Sequence, residues 1–216
     1  DMTCFSEEDR YYVKWSDRIL DREHYEVNSF GTNGDATLCI AEIDPQKPWK
    51  LISDPVCICR PKYGWDRIEN EINEGPYLLE HGEDLFVTFS GSSVGVLYCV
   101  GLLRAKRGSD LLDPCSWKEL PYPILTKESI PGQFGPGHNC FIKDPDRQED
   151  DLVVLHAKEF DFDDPEDEDI MIAKNPRNSI IRRVHWNRLG YPVLDMQEHQ
   201  DIPEPLRKIQ GTVELF

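Results

Sequence analysis

Long apolar runs are missing from this 216-residue chain. The longest, Val94 to Leu103, is about half of the roughly 20 residues a membrane-crossing helix needs, so no membrane partner is expected. Basic residues are also scarce: 24 Lys and Arg stand against 41 Asp and Glu, a formal charge of −17. Such a surface repels phosphate backbones and anionic bilayers, which argues against nucleic acid as a partner. No CxxC pair occurs among the seven cysteines, and the closest two, Cys57 and Cys59, are two residues apart. That spacing excludes a zinc-ligand pattern and, in a regular strand, puts both thiols on one face. The cysteines are either buried thiols or partly paired in disulfides, and an odd count leaves at least one unpaired. Neither a glycine-rich phosphate loop nor a serine nucleophile elbow is present. The chain does not open on Met, and it shows no basic segment followed by an apolar one, so it reads as a fragment or a processed chain.

Helical periodicity is absent as well, and 16 prolines and 14 glycines disfavour long helices. What the chain has instead are short runs of Val, Ile, Leu, Tyr and Phe bounded by Gly, Pro, Asp and Asn, the pattern of β-strands. Three stretches resemble one another: DMTCFSEEDRYYVKW from Asp1, EGPYLLEHGEDLFVTF from Glu74 and HNCFIKDPDRQEDDLVVLH from His138. Each begins on an ionisable residue, runs into an apolar strand, makes an acidic turn and returns on a second apolar strand. Their starts fall 73 and 64 residues apart. Further strand-like runs follow each hairpin, ATLCIAEI, VLYCVGLL and SIIRRVHW, so each unit holds about four strands. The expected fold class is therefore all-β, a β-propeller with about three blades in this chain. A β-sandwich gives no reason for three matched hairpins. Three blades do not close a ring, because propellers typically have about 4–8.

The repeat has a chemical consequence. Asp1, Glu74 and His138 hold one register position, and in a propeller such positions cluster at one mouth of the central channel. Glu74 is followed by Gly75-Pro76, which fixes a turn. His138 follows Gly135-Pro136-Gly137, a tight backbone suited to presenting an imidazole. Trp65 either stacks on a sugar ring or packs in the core. The run Glu159 to Asp169 holds eight acidic residues in eleven and reads as a solvated loop, since it lacks calcium-loop spacing.

The runs NEGPYLL, YCVGLL, LLDPCSW, FGPGHNCF and VVLHA, in that order, resemble glycoside hydrolase family 43, and DMTCF resembles the blade carrying that family's acidity-modulating Asp. The resemblance runs from Asp1 to about Pro192, and its nearest branch is the arabinofuranosidases and exo-acting arabinanases. It implies a five-bladed propeller, with residues 1–196 as blades three to five and 197–216 as a tail whose TVELF closes a blade edge. It implies a glycosidase acting with inversion on plant oligo- or polysaccharide, with Glu74 as general acid and Asp1 as its modulator. Inversion needs two carboxyl groups about 6.5–9.5 Å apart, leaving room for water. It also implies a substrate contact from Arg177 and an indirect role for His138 beside a calcium ion or water cluster, with no other cofactor; Trp65 and Ser92, which flank blade strands, are the further candidate substrate contacts. The family's base lies upstream of its modulator, so no residue here takes that role. Its second arginine is replaced by Ile180, with Arg182 and Arg183 placed to compensate. The alternative is a non-hydrolytic carbohydrate-binding propeller or an incomplete fragment lacking the base. An extracellular setting is slightly favoured.

Overall fold

The computed structural model of the chain describes residues 1–17, 36–159, 177–197 and 200. Three antiparallel sheets follow one another along the sequence. The first comprises β1 (Met2–Glu7), β2 (Arg10–Asp17), β3 (Thr37–Asp44) and β4 (Lys47–Leu51), with β5 (Val56–Cys59) also pairing with β3. The second comprises β6 (Asn73–His81), β7 (Asp84–Gly91), β8 (Cys99–Lys106) and β9 (Lys118–Glu119). The third comprises β10 (Phe134–Lys143), β11 (Asp151–Lys158) and β12 (Asn178–Arg183). β13 (His185–Trp186) and β14 (Pro192–Val193) form a separate two-stranded ladder. The three matched hairpins of the sequence are β1–β2, β6–β7 and β10–β11, each antiparallel.

Alternation along β7 shows how the sheets stack. Its eight residues are all buried, as a strand covered on both faces must be. Leu85, Val87 and Phe89 face the first sheet and share a core with Tyr12, Leu38, Ile40 and Ile58. Phe86 faces the third sheet and shares a core with Phe141, Val153 and Leu155. Burying each of these side chains contributes roughly 1.5–3 kcal/mol. Consecutive sheets packed face to face, each starting on a strand that neighbours the next sheet's first strand, are successive propeller blades.

Two local expectations change. Cys57 lies opposite Cys39 but Cys59 lies opposite Leu38, with a register shift between them. This bulge breaks the alternation that would have put both thiols on one face. All seven cysteines are free thiols, three of them buried. The third sheet has three strands among the described residues, because the chain leaves it after Arg183, whose guanidinium is held by Asp144 at 2.9 Å. The acidic run beyond Glu159 and the TVELF tail lie outside the described residues.

Lys14, on β2, is 1% exposed. Among the described residues no carboxylate pairs with it; its Nζ lies 4.7 Å from the Phe5 ring centre and 6.0 Å from that of Tyr77. Burial pushes its pKa down from 10.5 to about 7. A lysine whose folded pKa is depressed destabilises the fold fully below that pKa, and the penalty fades as pH rises towards the unfolded value. Stability should therefore gain a contribution between about pH 7 and pH 10.5. Lys14→Met should raise stability at neutral pH by roughly 1–3 kcal/mol and flatten that rise. Urea unfolding of both proteins across this range checks it; an unchanged pH slope would show that the amine is solvated.

Candidate active site

The inner strands β6 and β10 are both irregular where the polar residues sit. In β6 the register with β7 shifts between Glu74 and Tyr77, at the Gly75-Pro76 turn. In β10 it shifts on either side of Gly137. Bulges of this kind re-aim side chains, and they turn Glu74 and His138 towards one another. Gly75 adopts φ +61°, and a Cβ there would meet the His138 ring at 3.3 Å. A glycine is therefore what lets the imidazole lie against the backbone that follows Glu74. His138 itself has φ +50°, uncommon for a residue with a side chain. Its backbone N–H donates to Ser90 Oγ at 2.7 Å, which holds this conformation. The neighbouring Asn139 donates to Thr88 Oγ1 at 3.0 Å, a second tie between β10 and β7.

One chain of polar contacts joins the predicted residues. His138 Nε2 lies 3.4 Å from Asp1 Oδ1. On the other side of the ring, Nδ1 lies 3.3 Å from the hydroxyl of Tyr98. That hydroxyl donates to Glu74 Oε1 at 2.7 Å. Asp1 thus reaches Glu74 through His138 and Tyr98, and all three predicted ionisable residues stand at one mouth, with Asp1 and His138 open to solvent. Tyr98 is the residue that sequence reasoning missed. It is fully buried, and its ring stacks on His156 at 5.7 Å and 3° between planes. Burial and the charge of Glu74 push its phenol well above the ordinary range, so it remains a donor at working pH. His156 is pushed down to about 4, by burial first and then by Arg177 and His138, so its imidazole is neutral near pH 7. Arg177, exposed immediately before β12, lies 3.5 Å from His156 Nε2 and belongs to the same rim.

Two expected substrate contacts are not brought into this cluster. The Trp65 indole packs against Phe89 and would collide with a Cβ at Gly91 or Gly101, at 2.7 and 2.6 Å. It therefore sits on the face of the second sheet turned to the first, whereas Tyr98 lies on the face turned to the third. Ser92 is 1% exposed and its hydroxyl donates to the Ile68 carbonyl at 2.7 Å, closing a loop instead of facing a ligand. Ser90, two residues earlier, is the serine that reaches the cluster. Compensation for Ile180 also fails. Arg182 donates to the Leu194 and Asp195 carbonyls, and Arg183 is engaged by Asp144.

Calcium fits this site poorly as a direct ligand. Calcium takes about 6–8 oxygens, whereas His138 offers nitrogen and Asp1 a single carboxylate. Among the described residues no group of three or more His, Cys, Asp or Glu could hold a metal ion. No helix of the described residues is long and apolar enough to cross a membrane.

Residues 1–192 match glycosyl hydrolases family 43. The chain belongs to this family. Among family 43 relatives, an extracellular exo-α-(1→5)-L-arabinofuranosidase of Streptomyces chartreusis is 31% identical over 160 residues, covering 74% of this chain and 45% of that protein. An α-L-arabinofuranosidase 43 of Humicola insolens is 30% identical over 209 residues, covering 96% of this chain and 40% of that protein. The chain thus spans less than half the length of these curated relatives. The crystal structure of an α-L-arabinofuranosidase from Lactobacillus brevis superimposes with a TM-score of 0.72 at 31% identity, covering 89% of this chain and 54% of that one. The partial propeller inferred from the hairpin repeat is therefore the family 43 fold.

Proposed function

We propose that the protein is an inverting glycosidase acting on α-L-arabinofuranosyl linkages of plant polysaccharide, with Glu74 as its general acid. The observation that carries this reading is the Glu74 carboxyl itself, held by a buried phenol at the mouth where the inner strands meet. Glu74 protonates the glycosidic oxygen as the bond to the anomeric carbon breaks, and the bonding pair leaves with that oxygen. Water attacks the anomeric carbon from the opposite face and loses its proton to a carboxylate base. No residue of this chain is assigned as that base. Asp1, reaching Glu74 through His138 and Tyr98, modulates the acid, and Arg177 at the rim contacts sugar hydroxyls. The names of the relatives support the arabinofuranosyl class and a secreted protein. No step is routed through a metal.

The test is to incubate the full-length protein with arabinan and α-1,5-linked arabino-oligosaccharides and to follow the first-formed anomer by proton NMR. Release of arabinose as the β anomer is expected. The α anomer would reject inversion. Tight binding of the oligosaccharide with no turnover would make the protein a carbohydrate-binding propeller instead.

A further inference from the structure

Tyr98 opens the run YCVGLL, and apolar surroundings alone make it a core residue. Its contacts say more. A buried phenol needs one hydrogen-bond partner, and a nearby backbone carbonyl would suffice. Tyr98 instead meets polar side chains of the mouth: it donates to Glu74 and contacts Nδ1 of His138, whose backbone N–H is held by Ser90. The ring that carries the hydroxyl has no freedom to turn away. On one side it stacks on His156. On another it lies over Gly137, where a Cβ would come within 2.4 Å of Cε1.

A phenol has one proton, and here it goes to Glu74 Oε1. The His138 contact must then be donated by Nδ1–H to the phenol oxygen. A carboxyl oxygen that accepts a short hydrogen bond is the poorer place for the carboxyl's own proton. We propose that Tyr98 is a positioning residue that keeps the transferable proton on Glu74 Oε2 and holds that oxygen in its working direction. The proposal rests on Glu74 being the general acid. During turnover the Oε2 proton passes to the glycosidic oxygen as the bond to the anomeric carbon breaks, leaving a carboxylate whose Oε1 still accepts from Tyr98. The attacking water loses its proton to the carboxylate base on the other face, so the balance closes without a further reactant.

Tyr98→Phe removes the hydroxyl and keeps the ring that fills the space between Gly137 and His156, so the fold is retained; thermal unfolding checks this. In the full-length protein, kcat on alkyl α-L-arabinofuranosides should fall about 10- to 100-fold, the loss of one charge-assisted hydrogen bond made to the reacting group. KM should stay within about twofold, because the phenol does not touch the sugar. On 4-nitrophenyl α-L-arabinofuranoside, whose leaving group needs little protonation, the loss should be several-fold smaller. Equal losses on both substrates, or a loss in KM alone, would overturn the proposal and leave Tyr98 as packing. Glu74→Gln measured beside it separates the two ideas. If Glu74→Gln discriminates between the leaving groups and Tyr98→Phe does not, only the positioning role fails. If Glu74→Gln does not discriminate either, the acid assignment fails and the positioning role with it.

Discussion

Glu74→Gln in the full-length protein should leave sugar binding nearly intact and lower kcat by about 10²- to 10⁴-fold, the usual contribution of general acid catalysis. Glutamine keeps the volume of the side chain, and its carbonyl oxygen can still accept from Tyr98. What it lacks is a proton it can give up. The loss should therefore follow the leaving group. Alkyl arabinosides and natural arabinan, whose departing alkoxides need protonation, should suffer most. Aryl arabinosides with acidic phenols should suffer least. Binding of arabinose measured by calorimetry should change little, because the substitution removes an interaction made in the transition state and not in the ground state. Equal losses on all substrates, or a large loss of affinity, would make Glu74 a structural or binding residue.

The hairpin repeat was readable because each copy carries its own signal: an ionisable start, an apolar strand, an acidic turn and a return strand. Asp1, Glu74 and His138 are each first in their copy, and the sheets bring them to one mouth. Tyr98 could not be read in the same way. It is 24 residues from Glu74 and 40 from His138. Its run is apolar, and nothing in that run sets its hydroxyl apart. The signal that existed lay elsewhere, in Gly137, a small residue in a strand where a ring must approach. Ser92 shows the converse. It stands one strand period from Ser90, so alternation alone gives both the same face. β7 ends at Gly91, however, and Ser92 has φ +75°, which turns its hydroxyl back to Ile68. The sequence around Trp65 allows packing or sugar stacking, and Gly91 and Gly101 favour packing by giving its indole a bare strand surface to lie on. Arg182 and Arg183 are close to Ile180 in sequence, but Arg182 is spent on the carbonyls of Leu194 and Asp195 and Arg183 on Asp144.

Gly137→Ala should damage the site through the Tyr98 ring. Gly137 pairs with His156 across β10 and β11, and Tyr98 lies directly over it. An added Cβ would stand 2.4 Å from Tyr98 Cε1, 2.6 Å from Cδ1 and 3.0 Å from Ser90 Oγ. Ordinary carbon contacts are about 3.5–4.0 Å, so roughly 1 Å of movement is forced on a ring that is fully buried and stacked on its other side. Overpacking of this kind typically costs about 1–3 kcal/mol of stability. The catalytic cost should be larger in proportion. Displacing Tyr98 breaks its bond to Glu74 and shifts Ser90, which holds the His138 backbone. A misplacement of about 1 Å near reacting groups can cost 10²-fold in rate, and kcat should fall by at least about that much. The cause is testable by coupling. In a Tyr98→Ala background the ring is gone and the methyl has room, so Gly137→Ala should then cost less than about 0.5 kcal/mol, well below its cost in the wild type. Denaturant unfolding of the four proteins gives the coupling directly. If Gly137→Ala cost the same with and without the Tyr98 ring, the glycine would be required by the β10 backbone itself, and Tyr98 would not be the side chain it makes room for.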